Sequence, residues 1–213
     1  MNSMRKVIVS NMMSLDGFFE GEDKNVGLLF QWRDVYPSDD SFDRYNAERL
    51  RSADILLTGK TSYEGFSSYW PDVQNNPNED EVQREISRLN NAIEKIVISD
   101  SLKLDPAHPW HSTTRVVSQS DAHKAIADLK QQDGKDILIF GSQTLWSDLL
   151  AHGLVDEIHL IIAPLILGSG TRMFDEQSAR MLRRADTTIG DDSGTVIVKY
   201  EVINKDDSAS KND

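Results

Sequence analysis

The feature that most constrains this chain is a repeated alternation. A short β-rich apolar run is followed by a glycine, serine or polar turn and then by a stretch with helical spacing. Lys6-Val-Ile-Val-Ser10, Asp54-Ile-Leu-Leu-Thr58, Lys95-Ile-Val-Ile-Ser99, Arg115-Val-Val117 and Asp136-Ile-Leu-Ile-Phe140 read as strands. Helical spacing predicts helices over 39–52 with Asp39 or Asp40 as N-cap, and over 61–69 with Pro71 ending it. Three more are expected over 81–92, from Asp121 as N-cap to Gln131, and over 142–152 with Gly153 as the stop. Strand–helix–strand units of this kind favour a mainly parallel sheet covered by helices on both faces. The expected class is therefore α/β, with three α/β/α layers.

Past Glu157 the pattern changes. Residues 157–163 read as a strand, and Pro164 to Gly170 as an apolar, glycine-ended segment. Val196, Val198, Tyr200 and Val202 alternate on one face of a strand over 195–203, preceded by the turn signal Asp191-Asp-Ser-Gly194. Antiparallel C-terminal strands are expected at the sheet edge. No internal repeat or linker is visible, so residues 1–205 read as one domain and 206–213 as a polar tail.

Composition removes whole classes of function. The 213 residues include no cysteine, which excludes disulfides, a thiolate nucleophile and cysteine-ligated metal. The formal charge of −12 and scattered basic residues argue against nucleic acid, whose phosphates need clustered Lys and Arg. No run of eighteen apolar residues spans a membrane, and residues 1–10 lack the apolar core of a signal peptide. A cytoplasmic protein is the expectation. The five histidines lack metal spacing, so no metal is assigned, and no GxSxG elbow is present.

In open α/β sheets ligands bind at the carboxyl ends of the parallel strands. That rule selects 11–17, 59–61, 99–100 and 141–144. Gly141-Ser-Gln-Thr144 follows a strand and opens a helix, where free amides and a glycine suit an anion such as a pyrophosphate. The same residues also read as an ordinary tight turn with Ser142 as N-cap. Gly59-Lys60-Thr61 repeats the arrangement with a cation, Lys60, which is either a phosphate contact or a solvated lysine. On the helix from Asp39, Asp43 projects about 20° from Leu50 and on the side of Ala47. A carboxyl on that packing face is a candidate proton donor or substrate clamp; it is equally a first-turn acid that favours the helix dipole. Ser14-Leu-Asp-Gly17 makes Asp16 a pocket-shaping candidate or an Asp-Gly turn. Trp32, beside Phe30, is the aromatic most suited to line a pocket.

Taken in order, Ser14-Leu-Asp-Gly17, Leu57-Thr-Gly-Lys-Thr-Ser-Tyr-Glu64, Lys95 to Ser99, Phe140-Gly-Ser-Gln-Thr-Leu145, Leu154 to Leu160 and Pro164 to Gly170 carry a resemblance. The chain resembles dihydrofolate-reductase-fold proteins of the riboflavin type, found as the C-terminal reductase domain of the bifunctional riboflavin deaminase-reductase. The resemblance covers roughly residues 6–203 and implies NADPH as cofactor. It implies that Gly59, Lys60 and Thr61 hold the adenosine side, with Lys60 near the 2′-phosphate, and that Ser99 lies near the adenine or ribose. Gly141, Ser142, Gln143 and Thr144 would cradle the pyrophosphate. Counting back from Gly59 puts Asp43 at the spacing of the active-site acid of dihydrofolate reductases. The zinc HxE and PCxxC signatures of the deaminase half are absent, so deamination is not expected.

The reading that follows is an NADPH-dependent reductase. It would deliver hydride to a pteridine-like or aminopyrimidine-ribose small molecule, a 5-amino-6-(5-phosphoribosylamino)uracil-like compound, with Asp16 and Asp43 on the substrate side. The alternatives are a dihydrofolate reductase and a non-catalytic dinucleotide-binding protein. The apolar run 160–167 reads either as an edge strand pairing across a homodimer, as the resemblance suggests, or as a buried strand.

Overall fold

The computed structural model describes residues 5–203. The tail expected over 206–213 lies outside the described residues. In chain order the elements are β1 (Val7–Ser14), β2 (Phe18–Glu20), α1 (Trp32–Val35), α2 (Ser41–Ser52), β3 (Ala53–Gly59), α3 (Lys60–Val73), α4 (Glu81–Ala92) and β4 (Glu94–Ile98). They continue with β5 (Thr114–Val117), α5 (Ala122–Lys130), β6 (Asp136–Ile139), α6 (Gln143–Ala151), β7 (Glu157–Ala163), β8 (Thr171–Arg172), β9 (Met181–Ile189) and β10 (Val196–Ile203). Eight strands form one sheet in the order β5-β4-β3-β6-β1-β7-β10-β9, while β2 and β8 pair separately. The pairs β5/β4, β4/β3, β3/β6 and β1/β7 are parallel, and β7/β10 and β10/β9 are antiparallel. The mainly parallel sheet with antiparallel C-terminal strands is thus present. The described residues divide into two compact units, 5–7 with 43–145, and 8–42 with 146–203.

The first unit owes its stability to strands buried on both faces. Ile55, Leu56 and Leu57 of β3, Ile96 and Val97 of β4, and Ile137, Leu138 and Ile139 of β6 are all buried. Unbroken apolar runs are what parallel strands under helices require, and each such side chain contributes about 1.5–3 kcal/mol when fully buried. Helix α3 runs through Pro71 to Val73, four residues beyond the expected end at Tyr69. Proline leaves the carbonyl four residues back without its helical donor. Here that carbonyl, Ser67 O, lies 3.2 Å from His108 Nε2, while His108 Nδ1 accepts from Trp110 N at 3.0 Å. A carbonyl only accepts, so Nε2 carries the proton and the ring is fixed as one tautomer. Asn91 donates to Pro71 O and accepts from Trp110 Nε1, which closes the same corner. Helix α5 has Asp121 as N-cap and Gln131 as C-cap, as expected, but the Asp121 side chain makes no capping bond; Ser118 accepts the Asp121 amide at the head of a short 3-10 turn over 119–121 that precedes the helix.

The same unit buries a cation. Lys95 of β4 is fully enclosed, with Nζ donating to Asn91 O at 3.2 Å and Thr113 Oγ1 at 3.0 Å. The ammonium sits 4.4 Å from the centre of the Trp110 ring. Burial pulls its pKa down from 10.5 to about 7.

In the second unit β7 is an interior strand between β1 and β10, with Leu160 and Ile161 buried. Of the two readings of 160–167, the edge strand is therefore wrong: β9 takes the edge and is exposed along most of its length. The one-sided alternation expected for β10 also fails in part. Ile197, on the opposite face from Val198 and Val202, is buried with them. Asp39 is buried at the start of α2, where its carboxylate accepts from the Ser41 amide and hydroxyl and from the amides of Asp192 and Ser193. Burial raises its pKa, but the Ser193 and Ser41 hydrogen bonds outweigh that and hold it far below the usual carboxylate range. A side chain at Gly190 would meet Ser41 Oγ at 2.8 Å and Asp39 Oδ2 at 2.9 Å, so glycine is required there.

Candidate functional site

Three turns of the first unit follow neighbouring parallel strands, β4, β3 and β6. Gly59 is the N-cap of α3 in extended conformation, and a side chain there would approach nothing nearer than Ser142 Oγ at 4.0 Å. The open space permits close approach of a ligand to the backbone. Gly141 and Ser142, which open α6, are both left-handed with φ of +61° and +56°. Gly141 has no alternative, because a Cβ would sit 2.8 Å from Ser62 Oγ.

The β3 and β6 turns are bonded to one another through hydroxyls. Gly59 N donates to Ser142 Oγ at 3.0 Å, and Ser142 N donates to Ser62 Oγ at 2.9 Å. Ser142 Oγ lies 3.4 Å from Phe140 O. The left-handed Ser142, uncommon for a residue with a side chain, is thus held from both sides. The bonds also change the expected anion cradle. The amides of Gly59 and Ser142 are engaged within the protein. The remaining first-turn amides of α3 and α6, which helix geometry leaves without an intrahelical acceptor, include those of Thr61 and Thr144, both exposed residues.

The third turn joins through Lys60. Its Nζ lies 3.4 Å from Ser101 Oγ and 3.8 Å from Glu64 Oε1. Ser99, expected near adenine or ribose, is buried and accepts from the amides of Ser101 at 3.1 Å and Leu102 at 3.0 Å. It braces its turn from inside, and the exposed Ser101 is the hydroxyl that faces Lys60. Asp43 is buried beside Tyr45, Ala47 and Leu50, while Arg44, Glu48 and Arg51 are exposed. Asp43 is thus on the buried side of α2, as its helical position predicts.

In the second unit Asp16 is a clasp. Its carboxylate accepts from Leu167 N at 3.1 Å and Gly168 N at 2.7 Å, and Leu15 N donates to Leu165 O at 2.8 Å. The loop after β1 is so fastened to the segment after β7. The Ser14 hydroxyl, with the Gly168 and Leu167 amides, lowers the Asp16 pKa to about 2. Gly17, at φ +87°, makes the turn, and Arg172 lies over the Phe18 ring while donating to Asp16 O. A carboxylate held this way is ionised at neutral pH and has no proton to give. Asp16 thus holds its loop in place through both carboxylate oxygens.

Residues 5–197 match the family described as the RibD C-terminal domain. The chain belongs to that family. Its relatives include the uncharacterized protein YyaP of Bacillus subtilis (strain 168), 28% identical over 92% of this chain and 94% of YyaP. A diaminohydroxyphosphoribosylaminopyrimidine deaminase/5-amino-6-(5-phosphoribosylamino)uracil reductase of Thermotoga maritima shares the fold with a TM-score of 0.61 at 15% identity. That match takes in 94% of this chain and 57% of the larger protein. A dihydrofolate reductase of Enterococcus faecalis, complexed with NADP(H), superposes with a TM-score of 0.56 at 12% identity, over 93% of this chain and 97% of the other. The fold is therefore dihydrofolate-reductase-like.

Within this RibD C-terminal domain, sequence reading missed Ser62 and Ser101. Ser62 lies in the first turn of α3 and Ser101 in the polar turn after β4, with no local mark that separates them from solvated serines. Their partners, Ser142 and Lys60, are 80 and 41 residues away in sequence. Trp32, read as a pocket aromatic, is buried, and its Nε1 has no hydrogen-bond partner among the described residues. No helix among the described residues is long and apolar enough to cross a membrane.

Proposed function

We propose that this chain is an NADPH-dependent reductase acting on a pteridine-like or aminopyrimidine-ribose small molecule. The observation that carries the reading is the hydroxyl-stitched pair of turns, Gly59–Ser62 and Gly141–Thr144, with Lys60 beside them. Two helix starts, an open glycine and one cation form a donor set that fits a dinucleotide diphosphate and an added phosphate. Membership of a family named for a reductase-bearing protein, and a fold shared with a dihydrofolate reductase that binds NADP(H), support it.

When bound, the reduced nicotinamide supplies the hydride, and the protein supplies position and electrostatics. Thr61, Gln143 and Thr144 lie at the helix starts that hold the diphosphate, Gly141 and Ser142 shape the second start, and Lys60 meets the 2′-phosphate. Asp43 is the acid assigned to the substrate, as a clamp or a proton relay, and Asp16 holds the shape of its own loop. Ser99 acts through Ser101. A homodimer is the arrangement the resemblance suggests, and sedimentation velocity tests it.

The test is nucleotide titration followed by tryptophan fluorescence, then NADPH oxidation with dihydrofolate and with the ribosylaminopyrimidine as separate substrates. Binding of NADPH with turnover of the pyrimidine is expected. Turnover of dihydrofolate alone would reassign the chain as a dihydrofolate reductase. Binding without turnover of either would favour the non-catalytic reading, and no binding at millimolar nucleotide would end the reductase proposal.

A further inference from the structure

We propose that Glu64 sets the nucleotide selectivity of this site by competing for Lys60, so that NADPH and NADH are only weakly distinguished. The inference rests on the cofactor reading above and deepens it. Lys60 is the first residue of α3, and Glu64 stands one turn on, its Oε1 3.8 Å from Lys60 Nζ. Helix energetics do not account for the pair. The positive end of the helix dipole disfavours a cation in the first turn, and an acid placed four residues before a lysine stabilises a helix better than the reverse order found here. What the arrangement does instead is hold an ammonium at the mouth of the β3 turn with a carboxylate against it. The Ser101 hydroxyl, 3.4 Å from the same ammonium, is a neutral partner that suits a ribose hydroxyl and a phosphate alike. Asp100, exposed on that turn and accepting from Gln119 N at 2.9 Å, adds a second negative charge to the turn that carries Ser101.

A 2′-phosphate brings a charge between −1 and −2 near neutral pH, as phosphate monoesters do. Lys60 attracts it, while Glu64, 3.8 Å from the Lys60 ammonium, repels it, so the two charges act against one another. The 2′-hydroxyl of NADH feels neither. Across about 4 Å in water, one unit-charge interaction is worth about fivefold in binding. Removing the Glu64 charge should release that factor for NADPH and leave NADH alone.

The experiment titrates the wild type, Glu64→Gln, Glu64→Ala and Lys60→Gln with NADPH, NADH, 2′,5′-ADP and 5′-AMP. Fluorescence reports binding and circular dichroism reports folding. Both Glu64 variants should bind NADPH and 2′,5′-ADP about three- to tenfold more tightly, with NADH and 5′-AMP unchanged within about twofold. The gain should shrink as salt rises from ~50 to ~500 mM. Lys60→Gln, which leaves the Glu64 charge uncompensated, should weaken NADPH and 2′,5′-ADP by about three- to tenfold, below the affinity of NADH. An unchanged NADPH-to-NADH ratio in the Glu64 variants, or an equal shift for both, overturns the proposal while leaving the cofactor reading intact. Failure of every folded form to bind any nucleotide overturns both.

Discussion

The two units solve one problem, holding loops at strand ends, with different chemistry. In the first unit hydroxyls and amides bond turn to turn, through Ser62, Ser142 and Gly59, with Lys60 beside them. In the second, carboxylates do the holding: Asp16 binds two amides of the 167–168 segment, and Asp39 binds the 192–193 turn to the start of α2. Carboxylates that accept several amide donors are fixed in the ionised state. In the second unit Asp16 and Asp39 thus each tie a loop through several donors.

The largest effect expected is at Gly141. Gly141→Ala forces a side chain into the left-handed region and against Ser62 Oγ. It should cost about 2–4 kcal/mol in urea unfolding and abolish nucleotide binding. Adding Ser62→Ala should recover part of the stability, since it removes the clashing atom. No recovery in that double-mutant cycle would break the picture of turns held by hydroxyls.

Asp39 probes the other side of the comparison. Asp39→Asn puts an NH2 group against two of its four donors and should cost about 2–3 kcal/mol. The sign with pH follows from its lowered pKa. The stabilisation is fully present above the unfolded value near 3.9 and is lost as pH falls through the lower folded value. The wild type should lose its advantage over Asp39→Asn on acidification below about pH 4. Parallel stability curves would refute the assignment.

Lys95 sharpens the contrast, because a buried cation here has only two neutral acceptors and a ring, where Asp39 has four donors. Its folded pKa of about 7 lies below the unfolded value near 10.4. The unfolded chain binds the proton more tightly between these values, so stability should rise with pH from about 7 to 10, by at most about 1.4 kcal/mol per unit. Lys95→Met should remove that slope. A wild-type curve already flat over this range would mean that Lys95 stays charged.

How much of this was legible in the sequence follows the same divide. Strands of unbroken apolar residues, the stop at Gly153 and the buried side of α2 are local patterns, and burial of Asp43 followed from one helical wheel. The glycine turns were visible because a strand end and a helix start adjoin in sequence. What sequence reading could not reach were partners brought together by pairing of distant strands. Ser62 meets Ser142 only because β3 and β6 are neighbours, and Asp39 meets Ser193 across 154 residues. The interior place of β7 was ambiguous for another reason: an apolar run reads alike at an edge and at a centre.

The smallest effect is the most discriminating for Asp16. Substitution by Asn leaves one carbonyl oxygen to accept where two carboxylate oxygens did, and the protein should stay folded with a nearly unchanged midpoint. The change should be local. Amide exchange at Leu167 and Gly168 should quicken by about tenfold or more as the clasp opens more often. If Asp16 only positions its loop, the KM for substrate rises while the pH profile of kcat keeps its shape above pH 4. A pH limb that vanishes in Asp16→Asn would instead make Asp16 a group that titrates during turnover. A pKa of about 2 and two amide donors on its oxygens argue against that.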